Sequence, residues 1–320
     1  MKEYEIAAKD DGKRLDRWLK NQFPAMPVSL AQKYLRLKKI KLNGKPAKQD
    51  THVASGDKVA LYVSDELLVQ TKKTDVLLSR FAPRLSILYE DDQIMLVDKQ
   101  PGLLVHPDDN EKLNTLVTHV RAYLYQKGTY DSQDPSSFSP VPCNRIDRFT
   151  GGIVMVAKTR EAMQILNQKI RQREITKQYL CIALGQLRPR QGMLEGYILK
   201  SETSSRVQVL SKSAPDAQHA QTRYQTLRAE GQLSLVECEL ITGRTHQIRA
   251  QFAAAGHPLL GDGQYGDPEM NRRYQRSQQA LYAYKITFDF ASDAGALSYL
   301  GGQTFEVLHV PFVQVYFPQE

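Results

Sequence analysis

Apolar residues recur at helical spacing in Arg14-Leu15-Asp16-Arg17-Trp18-Leu19, and Phe23 continues the stripe until Pro24 and Pro27 break it. Ser29 can cap a second helix, Leu30 to Leu37, with Leu30, Tyr34 and Leu37 on one face. Ile40-Lys41-Leu42 then alternates into Asn43-Gly44, a strong hairpin signal. Lys45-Pro46, Val53, Gly56-Asp57 and the strand-like run from Lys58 to Val63 complete a small α+β module over residues 1–64. Residues 65–84 are charged and lack periodicity, with Lys72-Lys73 and Pro83, and read as a linker in which Leu67-Leu68-Val69 could pack locally.

From residue 85 to 320 the pattern becomes strand, turn, strand. Ser86–Tyr89 and Ile94–Lys99 are predicted strands, Gln100-Pro101-Gly102 a turn, and Leu103-Leu104-Val105-His106-Pro107 follows. Leu113, Leu116, Val117, Val120, Tyr123 and Leu124 fit an amphipathic helix. A polar loop from Lys127 to Pro142 precedes the apolar run Ile153–Ala157, and Arg160 to Arg173 is helical. Further strands are predicted at Tyr179–Ala183, around Tyr197–Leu199, and at Arg206–Leu210, Thr222–Leu227, Leu233–Leu240, Tyr284–Phe290 and Val313–Phe317. Many strands and few helices, without strict alternation, predict an α+β fold with a large mixed, mainly antiparallel sheet flanked by helices and loops.

Composition narrows the class. The chain has 320 residues, 41% of them hydrophobic and 24% charged, which suits two ordinary globular domains. Its net charge of +8 allows a polyanionic partner. That charge is unevenly placed, since residues 1–60 hold fourteen Lys/Arg against seven Asp/Glu. No acid occurs between Asp16 and Asp50, where Lys33, Arg36, Lys38, Lys39, Lys41 and Lys45 fall around the second helix and the turn. A solvated basic face is the plain reading of such a run, and a platform for phosphates the functional one. Cys143, Cys181 and Cys238 are odd in number and lack metal-ligand spacing, which fits a reducing compartment and no zinc site. The first residues lack an apolar signal core and no stretch is long enough to span a bilayer, so a cytoplasmic protein without a membrane partner is expected.

Candidate chemistry centres on Asn144-Arg145-Ile146-Asp147-Arg148-Phe149-Thr150-Gly151-Gly152, where one carboxylate stands between two arginines on a Gly-rich turn before a strand. Taken alone, that is an ordinary surface turn. Lys177-Gln178-Tyr179 opens a strand whose tyrosine could pack in the core or stack on a base. Gly243-Arg244-Thr245-His246-Gln247-Ile248-Arg249-Ala250 begins a helix with several polar donors. Gly256-His257-Pro258-Leu259-Leu260-Gly261-Asp262 reads as a structural turn cluster, and His106 as a packing residue or an RNA contact. With no GxGxxG, phosphate loop or metal-spaced His/Asp set, neither a nucleotide cofactor nor a metal is expected.

Residues 12–64, through RLDRWL, SLAQKYLRLKKIKLNGKPAK and GDKVALYV, resemble the alpha-L RNA-binding domain of ribosomal proteins and RNA-modifying enzymes. Five further segments, in order, resemble the RluA family of pseudouridine synthases: ILYEDDQIMLVDKQPGLLVHP, NRIDRFTGGIVMVAKT, ITKQYLCIALG, LITGRTHQIRAQFAAAGHPLLGDGQYG and LYAYKITF. The resemblance implies isomerisation of uridine to pseudouridine in structured RNA. Large-subunit ribosomal RNA is the favoured target; a tRNA, or a non-catalytic RNA-binding or ribosome-assembly role, are the alternatives. It further implies Asp147 as the catalytic aspartate and Arg249 as its basic partner. Tyr179 becomes the tyrosine on the uracil, implicated in proton removal, and Arg145 the arginine that helps flip the uridine. Asn144, Arg148, His106, Arg244, His246 and Gln247 join the substrate-binding set, and a monomer is expected. Asn144 stands where the family usually has His, Gly151 where it has Ser, and Tyr282 where His is commoner.

Overall fold

The computed structural model describes residues 2–23, 26, 28–63, 77–132, 134, 136–201 and 206–318. Pro24, Pro27, the Ser29 side chain and Leu67-Leu68-Val69 lie outside what is described, as does most of the 65–84 segment. The chain divides into two compact units: Met1–Phe81 with Asp131–Pro135, and Ala82–Tyr130 with Ser136–Glu320.

The first unit pairs helices α1 (Leu15–Gln22) and α2 (Val28–Arg36) with a four-stranded sheet. Its strands are β1 (Lys2–Glu5), β2 (Ile40–Leu42), β3 (Lys45–Pro46) and β4 (Lys58–Leu61), in the order β1-β4-β2-β3. Asn43 and Gly44 both have positive φ, 49° and 77°, which matches the turn to the right-handed twist of β2 and β3. Leu15, Trp18, Leu19, Phe23, Ile40, Val59 and Leu61 form the core. The α2 stripe differs from expectation: Ala31 and Leu35 face that core, while Leu37, just past the helix end, is 54% exposed. The strand β1 carried no clear sequence signal.

The second unit is built on an eleven-stranded mixed sheet. Its left half holds β5 (Ser86–Glu90), β6 (Ile94–Lys99), β7 (Val141–Pro142) and β8 (Gly151–Ala157). Its right half holds β9 (Ile175–Leu184), β10 (Gln191–Lys200), β11 (Val207–Leu210), β12 (Gln218–Glu230) and β13 (Leu233–Leu240). Strand β14 (Leu281–Phe288) joins the halves, and β15 (Thr304–Glu306) pairs with it. The order is β11-β10-β12-β13-β9-β14-β8-β6-β5, with β7 also on β8. Only β14 and β8 run parallel among the described pairs, through Tyr282–Gly151 and Ala283–Gly152.

Strand alternation loads both faces of the sheet. Ile153 and Met155 pack with α4 (Arg160–Gln172), while Val154 and Val156 pack with α3 (Leu116–Gln126) on the opposite face. On the right half, Tyr179, Cys181 and Ala183 meet α5 (Gln247–Ala254), and Leu180 and Ile182 meet the C-terminal segment. A short helix α6 (Pro268–Arg273) follows the turn cluster. Residues 313–317, expected as a strand, belong instead to a helix, α7 (Pro311–Tyr316), and its cap. Pro311 suits a first helical position, where no N–H is needed. Phe312 and Phe317 are buried while Val315 is 68% exposed, whereas a strand would have set Val315 beside Val313 and Phe317.

Candidate active site

The single parallel pairing brings the Asn144–Gly152 segment to the middle of the sheet. Gly152 has φ of 112°, and a Cβ there would lie 2.2 Å from the Ala283 carbonyl oxygen. A Cβ on Gly151 would lie 2.3 Å from a ring carbon of Tyr282. These glycines therefore let β8 approach β14 closely. They also link two of the departures noted in the sequence, because the Tyr282 ring occupies the space a side chain at 151 would need. The Tyr282 hydroxyl donates to Asp98 Oδ1 at 2.6 Å, which fixes the ring.

The loop is latched from below. Lys99, 1% exposed, donates from Nζ to the carbonyls of Gln100, Leu103 and Arg148 at 3.1, 2.8 and 3.1 Å. Burial pushes the Lys99 amine down to about 7, against the upward pull of Asp147 and Asp98. Gly102 N donates to Arg148 O at 2.8 Å and Arg148 Nε to Gly102 O at 3.1 Å. Asn144 turns to the backbone, with Oδ1 accepting from Met155 N at 2.7 Å and Nδ2 donating to Ile153 O at 3.3 Å. Asn144 thus holds the loop onto β8 through its side chain, and Arg148 ties it to Lys99 and the Gly102 turn through Nε and its carbonyl.

Helix α5 carries the partner. Gln247 donates to Gln221 O and Thr222 Oγ1, each at 2.9 Å, and accepts from Thr242 Oγ1 at 2.8 Å and Arg244 N at 3.0 Å. Gln251, one turn on, donates to Leu194 O and Ala220 O at 3.0 and 3.1 Å. These bonds tie one side of α5 to β10 and β12 and leave Arg249 on another. Gln247, expected to bind substrate, is 2% exposed and anchors the helix. Arg244 is exposed, with Nε donating to His219 O at 3.1 Å.

Arg249 Nη1 donates to Asp147 Oδ2 at 3.0 Å. Its Nε and Nη2 donate to Asp262 Oδ2 and Oδ1 at 2.6 and 2.9 Å, and Nη2 also to Gln264 Oε1 at 2.8 Å. The Tyr265 ring lies under the guanidinium at 5.1 Å. Asp262 further accepts from Gln264 N and Tyr265 N. Burial alone would raise the Asp262 carboxyl, but bonds to and the charge of Arg249 overcome it and hold the acid below its usual range. His246 has left-handed φ of 52° at the start of α5 and puts Nε2 3.8 Å from Asp147 Oδ2. Tyr265 Oη accepts from Val207 N at 2.7 Å and shares a hydrogen bond of 3.0 Å with His246 Nδ1, which fixes the imidazole with Nε2 toward Asp147. Burial lowers the His246 pKa, Asp147 opposes this and Arg249 adds to it, which keeps the ring neutral.

Tyr179 is buried, and its phenol is pushed upward by burial first and by Asp147 second. It therefore enters any reaction protonated. Its hydroxyl has no hydrogen-bond partner among the described residues. Arg145 is exposed, and His106 is half-buried, its pKa lowered by burial and then by Arg145 and Arg121. Within the first unit, Lys33, Arg36, Lys38, Lys39 and Lys45 are exposed and Lys41 half-buried, and none makes an ion pair among the described residues. Lys39 and Lys41 lie over the rings of Tyr34 and Tyr62 at 5.6 and 5.2 Å. Sequence reasoning missed Asp262, Gln264, Tyr265 and Lys99. The only available signal was Asp262 closing the Gly-Pro cluster, where the glycines suggested a turn.

The carboxylate on a guanidinium and the buried phenol that feels its charge lie within a stretch that a known family covers. The model of the RNA pseudouridylate synthase family matches residues 93–254, which span Lys99, Asp147, Tyr179 and Arg249. The chain belongs to the RNA pseudouridylate synthase family. The S4 domain model matches residues 13–59. Among curated relatives, an uncharacterized RNA pseudouridine synthase of Mycoplasma genitalium is 31% identical over 88% of this chain and 88% of its own length. Ribosomal large subunit pseudouridine synthase C of Vibrio parahaemolyticus is 30% identical over 80% of this chain and 77% of its own. The Escherichia coli K12 protein of that name is 28% identical over 86% and 83%. The solved structure of human RNA pseudouridylate synthase domain containing 4 covers 75% of this chain and 92% of its own, with 20% identity and a TM-score of 0.56, a likeness of fold. As a pseudouridylate synthase the chain is an isomerase acting on RNA, with an S4 domain ahead of its catalytic fold. No helix among the described residues is long and apolar enough to cross a membrane.

Proposed function

We propose that this synthase converts uridines of large-subunit ribosomal RNA to pseudouridine, with Asp147 as the acting carboxylate. Residues 1–64 would bind RNA, 65–84 link, and 85–320 carry the chemistry. The observation that carries the assignment is the Asp147–Arg249 pair at 3.0 Å, in which Asp147 Oδ1 has no hydrogen-bond partner among the described residues. The ribosomal target rests on the likeness to the ribosomal large subunit pseudouridine synthases C, together with the basic S4 surface.

Isomerisation breaks the N-glycosidic bond, turns the uracil and rejoins it through carbon 5, so it needs a carboxylate at the sugar or base and a group to take the carbon-5 proton. Asp147 is the carboxylate, and Arg249 keeps it oriented in a pocket that closes on a flipped nucleotide. Tyr179 lies under the uracil as a neutral phenol, a platform and hydrogen-bond donor. Its raised pKa disfavours it as the base that takes the proton. Arg145, exposed beside Asp147, enters the stack the uridine leaves. The free thiols support a cytoplasmic setting.

Pseudouridine mapping of ribosomal RNA and tRNA, each transcribed without modification and incubated with the purified chain, tests this. New pseudouridine confined to large-subunit RNA is expected. Modification of tRNA alone would move the target, and none in either RNA would favour a binding or assembly factor.

A further inference from the structure

Cations collect where α3 meets the entry to the Asp147 loop. Leu116 N donates to Leu104 O at 2.7 Å and Val117 N to Val105 O at 3.1 Å, so His106 departs from the first turn of α3. Arg121 lies one turn beyond Val117 on that helix, and its Nε donates to Pro140 O at 3.3 Å, just ahead of β7. Arg121 is half-buried, yet neither of its Nη atoms has a hydrogen bond or ion pair among the described residues. His106 also lacks a hydrogen-bond partner there, and the charges acting on it are those of Arg145 and Arg121, with no carboxylate. Two guanidiniums around one imidazole, partly shielded from water and without an acid, repel until an anion enters.

We propose that Arg121, His106 and Arg145 form a phosphate site for the RNA backbone beside the flipped uridine. The inference rests on the reading of the chain as a uridine isomerase. An RNA phosphodiester is the anion that arrives with the substrate of Asp147. The free Nη pair of Arg121 offers two parallel donors to two phosphate oxygens. His106, neutral, adds one donor, and Arg145, on its way into the stack, adds its positive charge beside them. Because Arg121 is tied to Pro140, a phosphate held there also fixes the chain that feeds the Asp147 loop.

The test uses an RNA that the wild-type chain has been seen to convert, so failure of the enzymatic reading is detected beforehand. A single methylphosphonate replaces, in turn, the phosphate on each side of the target uridine. Affinity is then measured across salt concentrations for the wild type, Arg121→Gln and Arg121→Lys. One of the two replacements is expected to weaken wild-type binding by about tenfold and make the salt slope shallower by about 0.7, one single-strand phosphate contact. Arg121→Gln should show the same loss on unmodified RNA and no further loss with that methylphosphonate, while Arg121→Lys recovers the slope. Independent, additive losses overturn the site, as does a wild-type salt slope in Arg121→Gln. Should Arg121→Gln not fold, the RNA series on the wild type decides, and a cost below about twofold at both phosphates overturns it.

Discussion

Arg249 lies between two loops that each bring it one aspartate, and the two acids share its guanidinium without sharing their surroundings. Asp262 has a side-chain exposure of 0% and takes the Nε and Nη2 donors together with two backbone amides. Asp147 is 28% exposed and takes one donor, Nη1, on one oxygen. The first acid has every near contact satisfied, so it can only orient the arginine. The second keeps an oxygen for something else. One guanidinium thus converts a buried, rigid pair into precise placement of a reactive, accessible one, which is the fork geometry that lysine cannot supply.

Mutations should separate the two acids. Asp147→Asn should lower turnover by on the order of 10⁴-fold or more with little change in stability, because the lost group contacts substrate rather than core. Asp262→Asn should act the other way: removing one partner of a buried pair costs about 3–5 kcal/mol, and the melting temperature should fall by about 10 °C, with a smaller loss of turnover. Arg249→Lys, which cannot span both acids, should reduce turnover by about 10²-fold, read from single-turnover rates.

Smaller effects sharpen the picture of the loop that holds Asp147. Lys99 offers three N–H donors to three carbonyls when protonated and two when neutral, and its amine titrates near 7. The turnover number should therefore decline as pH rises through about 7, and a Lys99→Met enzyme, slower throughout, should lose that step. Gly151→Ser should destabilise the fold by about 1–3 kcal/mol against the Tyr282 ring, and the added change Tyr282→His should recover part of it, as thermal melts would record.

Much of this architecture was legible in the chain, and the exceptions have physical causes. The Asn43-Gly44 turn, the run Ile153–Ala157 and the helix beginning near Gln247 are local signals, read from backbone preference and periodicity. Residues 313–317 misled because their alternation of β-branched residues is outweighed by Pro311 and by the burial of Phe312 and Phe317. Asp147, Tyr179 and Arg249 were reached through motifs, and the structure brings them together from β8's loop, β9 and α5. Asp262 and Lys99 escaped because a buried acid after a Gly-Pro turn and a buried lysine at a strand end look, in sequence, like their solvated counterparts. Asn144 and Gln247 show the converse, polar residues in the motifs whose side chains hold backbone in place.

The most direct measurement compares Asp147→Asn and Asp262→Asn side by side, recording melting temperature, RNA affinity and single-turnover pseudouridine formation on one substrate RNA. The account predicts wild-type melting and affinity with no detectable pseudouridine for Asp147→Asn, and a lowered melting temperature with residual turnover for Asp262→Asn. Turnover by Asp147→Asn within about tenfold of wild type would contradict it.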